Sequence, residues 1–370
     1  MTKNTNQRLE SLDALRGFDM FWITGGSAIF VALAKITEWP FFIAIEKQMS
    51  HVPWDGFAFY DMIFPLFLFM AGVSMPFSLS KYQGDGDRAK MYRKIIKRGV
   101  VLVLLGLVYN GIFRLNFENF RYASVLGRIG LAWMFAALIF VNTKKASWRV
   151  IWCAGILLFY WLLNISFTAP DYPGAGRFTP EGNIACYIDR ILLPGRLYGG
   201  TFDPEGIMGI IPAISTALLG ALTGMFVKTQ KENFPPMKKV LYIAAAGALL
   251  VIIAQVWNLF YPINKALWSS SFVCMAGGIS IMLFALFYLV VDIWGYKKPF
   301  FYFKVIGMNS ITVYLATRII NFTGIATFFF GGLAGLFPED WGKLISSLGY
   351  VTVVWLFLYF LYKKNVFLKV

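Results

Sequence analysis

The chain has 370 residues, of which 58% are hydrophobic and only 14% charged, with a formal net charge of +15. Soluble domains carry roughly 25% charged residues, so no polar surface could cover this composition in water, and the bilayer must be its solvent. The positive charge does not imply nucleic acid as a partner, because no zinc spacing, RNA-binding aromatic motif or basic amphipathic arm accompanies it.

A polar N-terminal stretch leads into an apolar run over 14–36. No small-residue cleavage pattern follows, so the run is expected to be a span rather than a removable leader. Further runs of spanning length fall at 57–80, 95–113, 122–142, 148–166, 206–228, 238–260, 267–292, 301–321 and 341–362. This predicts an all-α polytopic membrane protein of about ten transmembrane helices, organised as one domain over 1–370. The stretch 322–337 is also apolar but short and rich in Gly and Phe; a re-entrant or interfacial segment is expected, with an eleventh span as the alternative. Basic residues alternate between connections. Lys3 and Arg8, the segments 81–98, 144–149, 228–239 and 297–304, and Lys363, Lys364 and Lys369 form the rich set, Lys231 among them. The intervening connections are poor in Lys and Arg. The positive-inside rule then places both termini in the cytosol and the long connections 37–56 and 167–205 on the opposite face.

Ionisable groups inside spans are costly and mark function or internal pairing. Asp13, Arg16 and Asp19 crowd the start of the first span, and Asp13 and Arg16 are three residues apart on one helix face, where they can pair. Arg98 begins the third span, and Arg128 lies inside the fourth with no acidic partner nearby in sequence. His51 is the one histidine of the chain, on the external side before the second span, with Asp55 and Asp61 close enough in sequence to orient it. An imidazole, with a reference pKa near 6.5, suits proton transfer at neutral pH. A single histidine rules out a multi-histidine metal site, and no metal is expected. Cys153, Cys186 and Cys274 suggest neither a disulfide framework nor a CxxC site. The G-x-S-x-G elbow, the P-loop and the dinucleotide-binding glycine motif are all absent.

Seven strings, in order, carry a resemblance: RLESLDALRGFDMFWITGGS (8–27), SHVPWDGFAFYDMIFPLFLFMAGVS (50–74), RYASVLGRIGLAW (121–133), CYIDRILLP (186–194), FDPEGIMGIIPAI (202–214), INKALWSSSFV (263–273) and GMNSITVYL (307–315). Together they resemble the heparan-α-glucosaminide N-acetyltransferase family of transmembrane acyltransferases, its bacterial relatives in particular. The resemblance implies that acetyl-CoA is taken from the cytosolic face and its acetyl group passed to a glucosamine-type amine at the other face of a bacterial cytoplasmic membrane. It places the active-site histidine on His51, on the extracytoplasmic side, either as a base or as a first acceptor of the acetyl group. It also suggests a homodimer. The family's asparagine before the paired glycines falls here on Ile23 or Thr24, a departure that bears on the acceptor.

The residue chemistry fits that implication. Arg16, Arg93, Lys94, Lys97 and Arg98 form a basic mouth suited to CoA phosphates, with Arg128 further in, and Gly25 and Gly26 leave room for the thin pantetheine arm. On the outer face Trp54 and Trp268 could stack on a sugar, while Asp61, Asp203 and Glu205, with Asn309 of the last string, could hold its amine and hydroxyls. For the glycines, plain helix packing is the competing explanation; for the tryptophans and the DPEG turn, interfacial anchoring and helix capping are. The functional alternative is a transporter or flippase of a small or lipid-linked solute, which would equally use charges inside spans; a non-catalytic membrane scaffold is a third.

Overall fold

A computed structural model describes residues 9–79, 88–229 and 234–368. Lys3, Arg8, Lys81, Lys231 and Lys369 of the basic alternation lie outside the described residues. The elements, in chain order, are α1 (Glu10–Phe21), α2 (Ser27–Thr37), α3 (Pro40–Gln48), α4 (Ile63–Val73), α5 (Met75–Leu79), α6 (Arg88–Tyr109), α7 (Val125–Asn142), α8 (Ala146–Ser166), α9 (Ile184–Leu192), α10 (Ile210–Lys228), α11 (Pro236–Asn258), α12 (Ser270–Phe287), α13 (Phe301–Met308), α14 (Ser310–Ile319), α15 (Phe322–Ala334) and α16 (Glu339–Lys363). Among the described residues there is no strand, only two isolated bridges, Arg121 with Gly195 and Thr168 with Asn183. The all-helical polytopic architecture expected from hydropathy is therefore what the chain adopts.

Eight helices are long and apolar enough to cross a membrane, and up to nine when the bent pair α14–α15 is counted as one. The third expected span, 95–113, falls mostly on α6, which ends at Tyr109; the first half of α6 carries Arg88, Lys90, Arg93, Lys94, Lys97 and Arg98, and the helix is not among the eight. The ninth is interrupted at Asn309, between α13 and α14. After α14 the chain turns by 78° into α15. At 1.5 Å per residue α15 is roughly 20 Å long, short of the ~30 Å hydrocarbon core.

The chain divides into two compact units, and each is described by itself. The first holds residues 9–52, 58–63 and 283–368 of the described chain; the second holds the rest of it. In the first unit α1 crosses α13 backbone to backbone. A Cβ on Gly17 would lie 1.7 Å from the Phe303 carbonyl oxygen, and one on Gly307 would lie 1.8 Å from that of Asp13. Any side chain at either position would force the helices apart. The start of α1 is capped from far along the chain: the Asp292 carboxylate accepts the Glu10 and Ser11 amides at 3.2 and 3.3 Å. Such a cap is worth about 1 kcal/mol. The first span is then broken by a π-helical turn over Trp22–Gly26, where Gly25 sits at φ +108.

In the second unit α10 is central. Gly72 of α4 meets the Ala217 carbonyl, and Gly220 of α10 meets that of Phe69, each with no room for a Cβ. α6 and α7 form an antiparallel hairpin, joined near one end by Tyr92 Oη donating to Asn142 Oδ1 at 2.6 Å and, near the other, by Gly106 lying against Ser124. Ser124 caps α7 by accepting the Gly127 amide at 3.0 Å. α11 is an outer helix: Leu241, Leu249 and Ile252 are exposed, as lipid-facing side chains should be. The connection 167–205 is ordered around α9. Asn183 caps it by accepting from Ala185 N at 2.9 Å, and Arg190 grips Asp171 with two bonds of 2.8 Å while donating to the Thr201 and Glu181 carbonyls.

Candidate active site

In the first unit a short turn sets the candidate base. Residues Phe59–Met62 form one 3-10 turn, and Asp61 reaches back from it to accept the Ala58 amide at 3.0 Å. Gln48, at the end of α3, accepts the Phe59 amide at 2.9 Å and closes the loop that carries His51. The result is a 2.7 Å contact between His51 Nδ1 and Asp61 Oδ1, with the imidazole side chain 49% exposed and the carboxylate 1% exposed. Tyr60 flanks the imidazole at 4.8 Å between ring centroids. With the Nδ1 proton donated to Asp61, the lone pair of a neutral ring resides on Nε2. A hydrogen bond to a charged group is worth roughly 1.5–3 kcal/mol, enough to select one tautomer by tenfold or more. Of the two aspartates expected to orient His51, Asp61 does so; Asp55 accepts from Asn264 Nδ2 at 3.1 Å.

Other residues of the first unit fall as follows. Arg16 lies 3.7 Å from Asp13, the one-face pairing expected from their spacing. Asp19 is 1% exposed, and neither carboxylate oxygen finds a hydrogen-bond partner among the described residues. Gly25 and Gly26 are accounted for by packing: a Cβ on Gly25 would come within 2.8 Å of the Tyr350 ring, and one on Gly26 within 2.4 Å of Phe21. Asn309 is buried; its Nδ2 donates to the Val366 carbonyl and its Oδ1 accepts from Thr312 Oγ1, both at 3.1 Å. The side chain expected to face an acceptor thus ties the α13–α14 break to the C-terminal stretch.

The second unit holds the remaining candidates. Arg93, Lys94 and Lys97 are exposed along the first turns of α6, and the Arg98 guanidinium lies 4.1 Å above the Trp133 ring. Arg128, expected further in than this basic group, lies further along the α6–α7 hairpin. Level with the far half of α6, it is roughly 15 Å along the axis from Arg93 and Lys94. Arg128 is 2% exposed; Nη2 donates to the Gly206 carbonyl at 2.8 Å, and Nε and Nη1 find no partner among the described residues. Its charge sits 5.1 Å from the Trp268 ring. Trp268 has φ +53 and is fully buried against Phe64 and Phe272, with its indole N–H 3.3 Å from Thr216 Oγ1. It is a packing residue here, not an open stacking platform. Trp54 is half-buried, donates to the Phe178 carbonyl at 2.6 Å and meets Phe202 edge-on.

Asp203 and Glu205, expected to attract an amine, are both already engaged by one guanidinium. Arg121 donates to both oxygens of Asp203, at 2.7 and 2.6 Å, and to Glu205. Asp203 also accepts the Tyr198 and Glu205 amides at 3.1 and 2.9 Å. Burial would lower the Arg121 pKa, but the bonds and charges of its two carboxylate partners outweigh burial and raise it. Asp189 on α9 is a further member of this unit's polar interior. Burial pushes its carboxyl up to about 6, against the pull of the Met208 amide at 3.1 Å and the Arg128 charge. Gly206 lies so close to it that a Cβ would be 1.8 Å from Oδ2. Sequence reasoning missed Arg121 and Asp189 as site-building residues; the available signal was that each is a charged residue inside a quoted string, RYASVLGRIGLAW or CYIDRILLP.

Comparison with known proteins gives a family match and two curated relatives. Residues 8–266 match the family described as heparan-alpha-glucosaminide N-acetyltransferase, catalytic. The chain is 26% identical to the heparan-alpha-glucosaminide N-acetyltransferase of Mus musculus, with 100% of this chain and 61% of that protein aligned. It is 26% identical to that of Homo sapiens, over 98% and 60% respectively. The chain therefore spans about 60% of the length of these curated relatives.

Proposed function

Because the chain belongs to the heparan-α-glucosaminide N-acetyltransferase catalytic family, we propose that it is an integral-membrane acetyltransferase that moves the acetyl group of acetyl-CoA onto the amine of a glucosamine-type sugar. In this reading the whole of 1–370 acts as one catalytic domain of a bacterial cytoplasmic membrane. Both termini lie in the cytosol, acetyl-CoA enters from there and the sugar is acetylated on the other side. The exposed cations Arg93, Lys94 and Lys97 of α6 are suited to the CoA phosphates, with Arg98 next along the same helix, and Arg16 of the first unit is a further cation assigned to CoA in this reading. Arg128 lies further along the α6–α7 hairpin than that group, and Gly25 and Gly26 are tightly packed.

The observation that carries the reading is the His51–Asp61 pair at 2.7 Å. An amino sugar is mostly protonated at neutral pH and attacks a thioester only as the free amine. As its nitrogen bonds to the acetyl carbon, Nε2 of His51 takes the N–H proton, and the buried carboxylate of Asp61 stabilises the imidazolium. Collapse of the tetrahedral adduct breaks the C–S bond, and the departing thiolate recovers the proton from the ring. The products are the N-acetylated sugar and CoA thiol. Asn is close to His in size but is not a usable base. His51→Asn should fold and bind acetyl-CoA normally while single-turnover acetyl transfer to glucosamine slows by about 10²–10⁴. Near-equal single-turnover rates would remove His51 from the mechanism.

A further inference from the structure

A cavity of about 520 Å³ opens at the α7–α8 turn of the second unit, lined by residues that the proposed acetyl transfer does not use. Lys144, Arg149 and Lys228 line it together with Phe140, Thr143 and Met225, and no carboxylate lies in its wall among the described residues. Arg149 is 5% exposed. Its Nη2 donates to the Phe140 carbonyl at 2.9 Å, its Nη1 meets Met225 Sδ at 2.8 Å, and its Nε finds no acceptor among the described residues. Lys228 Nζ donates to the Pro76 carbonyl at 2.9 Å, and both lysines are exposed.

Helix capping explains part of this arrangement and leaves the rest. The C-terminal ends of α7 and α10 meet here, and each helix end carries about half a negative charge. Two such ends offset about one of the three cations, so roughly two positive charges remain facing the cavity. A phosphate group fits that excess. Its source is indicated by α8, where Trp148, Ile151 and Trp152 flank Arg149 and are all exposed. Exposed tryptophans mark the headgroup level of a bilayer, and basic pockets between spanning helices at that level hold anionic headgroups. The wall fits the same occupant, with cations for the phosphate beside Phe140 and Met225 for glycerol and the upper acyl chain.

We infer that this cavity binds the phosphodiester headgroup of an anionic glycerophospholipid from the leaflet it faces. CoA carries phosphates too, so the test separates the two sources. The full-length protein, purified and delipidated, is titrated with phosphatidylglycerol, with phosphatidylcholine and with CoA, and bound ligand is read by native mass spectrometry. Wild type should retain phosphatidylglycerol in preference to phosphatidylcholine. Lys144→Gln with Lys228→Gln should weaken phosphatidylglycerol binding by about tenfold or more and leave CoA affinity unchanged. Arg149→Gln should do the same, and because Arg149 also caps α7, the exposed-lysine variant keeps the test valid if that protein fails to fold. Equal retention of the two lipids by wild type, unchanged phosphatidylglycerol binding in the lysine variant, or loss of CoA affinity in it would each overturn the assignment.

Discussion

His51 and Arg121 are both held by buried carboxylates, yet the two clusters are built in opposite ways. The imidazole is half-exposed and oriented through Asp61, whose own backbone bond to Ala58 fixes it in a tight turn. Arg121 instead spends its guanidinium on two carboxylates, and Asp203 is further saturated by two amides. The first arrangement leaves a titratable nitrogen with work to do. The second leaves Asp203 almost no hydrogen-bonding capacity for an incoming amine. An acidic residue in a matching string is thus a poor guide to substrate contact until its partner is known.

The sharpest way to break this contrast is Arg121→Gln. Removing one side of a buried ion pair costs about 3–5 kcal/mol because the remaining charges are uncompensated. We expect a large loss of thermal stability in detergent, with specific activity per folded molecule retained. A stable Arg121→Gln protein whose activity is abolished would place the cluster in the chemistry and erase the distinction.

Asp61→Asn should do the reverse. Asn keeps an oxygen for the Ala58 amide but cannot stabilise an imidazolium, so kcat should fall by about a hundredfold, equivalent to roughly 2.7 kcal/mol. Melting temperature and the KM for acetyl-CoA should hold. A fall in stability with kcat unchanged would make Asp61 a structural cap only.

Asp189 gives an effect that appears only over one pH range and has a sign. Its folded-state pKa is raised by burial from the ordinary 3.8 to about 6. The stabilising contribution of the protonated form is therefore complete below the ordinary carboxylate value and is lost as pH rises through about 6. Asp189→Asn, which keeps an acceptor for the Met208 amide, should match wild type in melting experiments near pH 4 and exceed it by about 3 kcal/mol above pH 7. Equal stability of the two proteins at both pH values would show that Arg128 already compensates the ionised carboxylate.

Sequence alone determined the all-helical membrane architecture, because hydrophobicity over some twenty residues is a local property that the bilayer reads directly. It also determined the family, through strings that lie mostly within residues 8–266, and the choice of His51, through one of those strings and the absence of any other histidine. The pairing of Asp13 with Arg16 was legible for the same local reason, one helix face. Only the tertiary structure decided which polar groups are spent. Arg121 meets Asp203 across 82 positions of sequence, Asp292 caps α1 from the far end of the chain, and Trp268 disappears into a packed core. The antiparallel turn of α6 onto α7 set how far Arg128 lies from the basic strip of α6 and brought it to the Gly206 carbonyl. Such pairings depend on how helices pack, and helix packing is fixed by the close approach of side chains and glycines from distant segments, which no single stretch of sequence displays.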